Sequence, residues 1–181
     1  MRKINLDILK KGIPVISKKT GAFLAEAAAI CFVLNGYESG VKLKVEGAVD
    51  EIFEVEWEDV ITEEVLNSWN DAREATEFGA TALAILLLLE NTEFQYFIRA
   101  YQGTGIDYWL GKGRYDGAQL PTESRAGRLE ISGILSESKG NTLNMRIAQK
   151  TKQVKQTDDT DLPVYIIVVE FSYPKAKVII K

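Results

Sequence analysis

Asp107 and Glu130 are the residues of this sequence whose type and placement best suit chemistry. Each falls in a stretch of strand composition, 106–110 and 128–135, at a position where apolar and polar alternation needs only a neutral side chain. Residues two apart on a strand share a face, so Glu130 points with Ser132 and with Arg128. Two carboxylates on one side of a sheet repel each other unless a cation lies between them. Asp107 with Glu130 therefore fits a cradle for a hard, oxygen-bound ion, Mg²⁺ or Mn²⁺. Such an ion keeps several waters, polarises a phosphodiester oxygen and activates water for in-line attack. A structural alternative stands beside this one. Asp107 follows Gly105 and can bond turn amides, while Glu130 can pair with Arg128 or Arg125 on an exposed sheet face.

The sequence contains no histidine. That removes Ser-His-Asp and Cys-His nucleophiles, imidazole bases and histidine zinc motifs, and leaves carboxylates, lysine, tyrosine and serine to carry any catalysis. The lone Cys31 sits in an apolar run and reads as a small buried hydrophobe. A chain of 181 residues fits a single domain, 1–181. Its net charge of −4 offers no global attraction for nucleic acid, so such a partner would need a local basic groove. No secretory leader is evident and the longest apolar run, 82–89, is far too short to span a bilayer; the expectation is a cytoplasmic protein with no membrane partner.

The elements that must position the two carboxylates follow from hydrophobic period. The first twenty residues are basic and irregular, an edge strand or an arm. A helix is expected over 22–34, stopped by Asn35-Gly36. Strands 41–46 and 52–58 alternate and form a hairpin, with Lys44 opposite Glu54 and Lys42 opposite Glu56; the acidic row Glu54, Glu56 and Glu58 reads as a solvated face. Thr62 opens one long helix to about residue 90, with Glu74 and Glu77 facing the sheet at the edge of its buried half. Strands 94–101, 106–110 and 128–135 come next, then a helix over 139–155, a loop at Asp158 to Asp161, the very apolar strand 164–171 and a last strand 175–180. The class is α+β or α/β, with a central mixed sheet flanked by helices.

From Thr62 onward the order is helix, three strands, helix, strand. This order, with Asp107 on the second strand and Glu130 on the third, resembles the αβββαβ core of the PD-(D/E)XK, or restriction-endonuclease-like, nuclease superfamily. The resemblance covers 62–181 and leaves 1–60 as an N-terminal helix and hairpin extension. It implies Mg²⁺ or Mn²⁺ at Asp107 and Glu130, with a further acidic residue from the first core helix, Glu77 or Glu74. Where the family carries a lysine two residues after the Glu, this sequence has Ser132. In some members the cation comes from the following helix, for which Lys150 or Arg146 would serve here, with Gln149 beside it.

Two glycine-containing turns, 103–105 and 111–114, lack the strand-loop-helix setting of phosphate-binding loops. The second is of interest as a basic edge: Lys112, Arg114, Arg125 and Arg128, interleaved with Tyr108, Trp109 and Tyr115, suit a nucleic-acid backbone and its bases, and Arg146 would join them. The sequence thus leads to a nuclease-like domain that binds nucleic acid and, if active, hydrolyses phosphodiester bonds with Mg²⁺. The alternative is a non-catalytic module on a similar scaffold that binds a protein partner through exposed aromatics and the acidic hairpin. Residues 1–60 could extend the sheet or form a homodimer surface.

Overall fold

The chain is an α+β fold built on one mixed eight-stranded sheet; the computed structural model describes residues 1–113, 115, 125–155 and 160–181. In chain order the elements are β1 (Arg2–Asn5), α1 (Asp7–Lys10), α2 (Lys18–Leu34), β2 (Val41–Gly47), β3 (Glu51–Glu56), α3 (Glu63–Ser68), α4 (Ala72–Asn91), β4 (Phe94–Arg99), β5 (Tyr108–Lys112), β6 (Arg125–Ile134), α5 (Leu143–Lys155), β7 (Val164–Glu170) and β8 (Lys175–Ile180). The strands lie in the order β1-β3-β2-β8-β7-β6-β5-β4. β4, β5 and β6 form an antiparallel meander; β6 then crosses through α5 to the parallel strand β7, which returns antiparallel as β8. β2 pairs parallel with β8, so the first sixty residues extend the same sheet.

Alternation along the central strands sorts the layers. Leu129 and Ile131 of β6, with Ile167 and Val169 of β7, join the large core built with α2 and α4. Residues one step along, Ile134, Ile166 and Val168, pack beneath Leu143, Ile147 and Val154 of α5 on the opposite face. β7 is buried along almost its whole length because both faces are covered.

Local chemistry sets the helix ends. The Ser17 hydroxyl accepts from the Thr20 amide and starts α2 four residues before the expected position; Gly36, at φ +78°, closes it as expected. The single helix expected from Thr62 is two. Thr62 caps α3, the chain turns at Trp69, and the Asp71 carboxylate accepts from the Arg73 amide to start α4. Trp69 is buried against Phe23 and Phe78, with its indole Nε1 donating to Glu26 at 2.7 Å, and this anchoring draws the chain off the helix axis. The hairpin register is shifted by two from expectation: Lys42 faces Glu54 and Lys44 faces Ile52. Glu56 is met by Lys3 of β1 at 2.5 Å instead of by Lys42. No helix among the described residues is long and apolar enough to cross a membrane.

Candidate active site

The site opens where the meander comes apart. β5 pairs with β6 through Tyr108 and Leu129, and the Asp107 amide adds one further bond to the Leu129 carbonyl. Beyond this point β6 runs on beside β7, through Ile134. The Asp107 carboxylate covers the first edge amide left behind, its Oδ2 accepting from Ile131 N at 2.9 Å. A cleft of about 650 Å³ lies there, bounded by the first turns of α4, residues 131–136 and α5.

Gly133 makes the floor of this cleft. A Cβ at that position would stand 2.4 Å from the Thr76 carbonyl oxygen, so the close approach of α4 to β6 needs glycine. Glu130 lies on the α5 face of β6 and is 2 % exposed. Its Oε1 accepts from Lys150 Nζ at 2.5 Å and from Gln153 Nε2 at 3.0 Å. Oε2 of Glu130 and Oδ1 of Asp107 receive no hydrogen bond among the described residues; Arg99 Nη1 approaches the latter at 3.7 Å. Burial pushes the Glu130 carboxyl up to about 7, the neighbouring Asp107 charge pushes in the same direction, and Lys150 and Gln153 oppose both.

One helical turn before Lys150, Arg146 reaches β6 at Ser132. Its Nη1 donates to Ser132 Oγ at 3.4 Å and its Nη2 to Asn141 Oδ1 at 2.7 Å. The cleft lining includes Arg73, Arg99, Arg146 and Lys150 against Glu77 and Asp107, a local excess of positive charge on a chain whose net charge is −4.

The expected residues divide clearly by position. Asp107, Glu130, Ser132, Arg146 and Lys150 are brought together. Glu77 lines the cleft but stays exposed, 3.7 Å from Arg73, and Glu74 is exposed outside it; neither side chain is buried against the sheet as expected. Gln149 points outward, since a residue next to Lys150 lies about 100° round the helix; Gln153 occupies the place assigned to it. Arg128 is 4 % exposed and donates to the Leu162 carbonyl at 3.1 and 2.8 Å, so it is a buried strand residue and not part of a basic groove. Neither it nor Arg125 pairs with Glu130, because Lys150 does. Arg125 stacks on Trp109 at 4.3 Å and Lys112 pairs with Glu93 at 3.0 Å, both toward the far end of β5 and β6. Arg114 and residues 158 and 159 lie outside the described residues. The cations that sequence reasoning missed are Arg73 and Arg99; each sits at an element end beside the cleft, which periodicity alone does not reveal.

Among the described residues there is no group of three or more acidic, cysteine or histidine side chains placed to hold a metal. The donor set here is two carboxylates. That number suits Mg²⁺, which completes its shell with water and substrate oxygens. Comparison of the chain with protein-family models, with curated proteins and with solved structures found no match.

Proposed function

We propose that this is a nuclease-like domain of the PD-(D/E)XK type, which binds a nucleic-acid strand in the cleft and hydrolyses phosphodiester bonds with Mg²⁺ or Mn²⁺ at Asp107 and Glu130. The observation that carries the reading is the contact of Lys150 with the buried Glu130, beside Asp107. The positive charge that Ser132 cannot supply arrives from α5, on an element order of α4, β4, β5, β6, α5, β7.

When bound, the ion would polarise the scissile phosphodiester and lower the pKa of its water. The chain's own groups do the rest. Asp107 Oδ1 and Glu130 Oε2 are the oxygens left for a cation, because Ile131 N engages Oδ2 and Lys150 with Gln153 engages Oε1. Lys150, held beside that carboxylate, is placed to stabilise negative charge developing on phosphate oxygens. Arg99 and Arg73 add positive charge on the α4 side of the cleft, where an anionic strand would enter.

One observation favours a second reading. Lys150 already neutralises Glu130, so a non-catalytic protein-interaction module on this scaffold would keep the pair with no further cation. An assay with single- and double-stranded DNA and RNA, in Mg²⁺ or Mn²⁺ and in EDTA, separates the two. The nuclease reading expects metal-dependent cleavage that falls at least about 100-fold in Asp107→Ala and in Glu130→Gln. Absent or unchanged cleavage would reject it.

A further inference from the structure

β6 and α5 meet in two successive rungs. Glu130 meets Lys150 on the first and Ser132 meets Arg146 on the second. The rungs are in step because two residues of strand advance about 6.6 Å and one turn of helix about 5.4 Å. Their chemistry differs. The first is an ion pair, whereas on the second the Arg146 guanidinium is held by two neutral oxygens, Ser132 Oγ and Asn141 Oδ1, with no carboxylate within 4 Å among the described residues. Asn141 is itself fixed by reciprocal backbone bonds with Ser138, at 3.1 and 3.0 Å. A half-buried cation, oriented by neutral acceptors and lining an open cleft, is prepared for an anion that the protein does not supply.

We propose that Arg146, Ser132 and Asn141 form a phosphate subsite that holds the phosphate next to the one at Glu130 and Lys150. The ligand is then a strand with two consecutive phosphates, and the step between the rungs matches the step between neighbouring phosphates of an extended strand. This assignment rests on the nucleic-acid reading of the cleft. The fork of Arg146 leaves N–H groups for a phosphate oxygen, and the Ser132 hydroxyl can turn to donate once the anion is present.

The test is the salt dependence of binding of a fluorescent single-stranded oligonucleotide, followed by anisotropy in Ca²⁺ or EDTA so that no cleavage is needed. Each phosphate contact contributes about 0.7 to the slope of log K against log salt on a single strand. Arg146→Gln is expected to lower the slope by about that amount and to weaken binding roughly tenfold at low salt. Arg146→Lys keeps the slope, and Lys44→Gln, on β2 three strands away from β6, changes neither quantity. If Arg146→Gln matches the wild type, or if Arg146→Lys loses as much as Arg146→Gln, the subsite is overturned while the nucleic-acid reading stands. If the wild type shows no salt-dependent binding to oligonucleotides of either strandedness, the nucleic-acid reading falls and the subsite with it.

Discussion

Lys150 Nζ lies 2.5 Å from Glu130 Oε1 inside a site where Glu130 is 2 % exposed. A carboxyl buried this deeply keeps its charge only with help, and burial and Asp107 together outweigh that help enough to raise it to about 7. The pair thus combines two functions: it seats α5 on β6, and it leaves an acid poised near neutrality beside a second carboxylate.

Folding raises the Glu130 carboxyl from 4.5 to about 7, so the folded chain holds a proton that the unfolded chain releases. A raised folded value contributes stability that is fully present below the unfolded value and is lost as pH rises through about 7. At 1.36 kcal/mol per pKa unit, the wild type should lose about 3 kcal/mol relative to Glu130→Gln between about pH 4.5 and 7.5. Urea unfolding of both proteins across this range measures the difference. A constant difference would show that Glu130 titrates alike in the folded and unfolded chain.

Gly133→Ala places a methyl group against the Thr76 carbonyl, at a spacing of 2.4 Å that real structures do not hold. Either α4 withdraws from β6 or the strand shifts, and the cost expected for such overpacking is about 1–3 kcal/mol. Thermal or urea unfolding reads it directly. Stability equal to the wild type would mean that α4 does not approach β6 this closely.

The parts legible in the sequence are those fixed by one dominant pattern. The apolar strand 164–171, interrupted only by Glu170, marked a doubly covered strand and became central β7, and Asn35-Gly36 marked the end of α2. The hairpin register escaped because alternation has a period of two, so a shift by two residues leaves Val41, Leu43 and Val45 facing the core and changes only the charge partners. The break between α3 and α4 was written in Asp71, a good N-cap, but its signal competed with an apolar pattern that continues through Trp69. In the cleft region, Asp107 and Glu130 stood out in the sequence because charge interrupts an alternating pattern, and the structure puts Glu130 within β6 and Asp107 just before β5. Gln153 was passed over for Gln149, because Gln149 stands one turn from Arg146 as Gln153 stands one turn from Lys150, and only the packing of α5 on β6 separates them. Arg73 and Arg99 were not legible, because their approach depends on how α4 and β4 end around the cleft.

Cys31 has no exposed surface, and burial raises its thiol to about 12. Alkylation requires the thiolate, so at pH 8 the native protein should resist iodoacetamide for hours, while the chain in 6 M guanidinium should be modified within minutes. Mass spectrometry of the intact chain distinguishes the two. Rapid native modification would mean that α2 opens on that timescale.

If Asp107 and Glu130 hold the catalytic cation, the cation competes with a proton for a carboxyl poised near 7. Cleavage at subsaturating Mg²⁺ should therefore rise as pH increases through about 7 and level off above it, and saturating Mg²⁺ should move the midpoint lower. Lys150 is one of the groups that hold the Glu130 carboxyl down, so Lys150→Met should move the midpoint higher as well as slow the reaction by about 100-fold or more. Lys150→Arg should keep the midpoint near that of the wild type while losing part of the rate, because its planar guanidinium preserves the charge but not the compact ammonium geometry. Initial rates on one oligonucleotide from pH 5.5 to 9, at two Mg²⁺ concentrations, decide the matter. A Lys150→Met profile that is scaled down but not displaced would remove Lys150 from control of Glu130, and would leave it as a contact to phosphate alone.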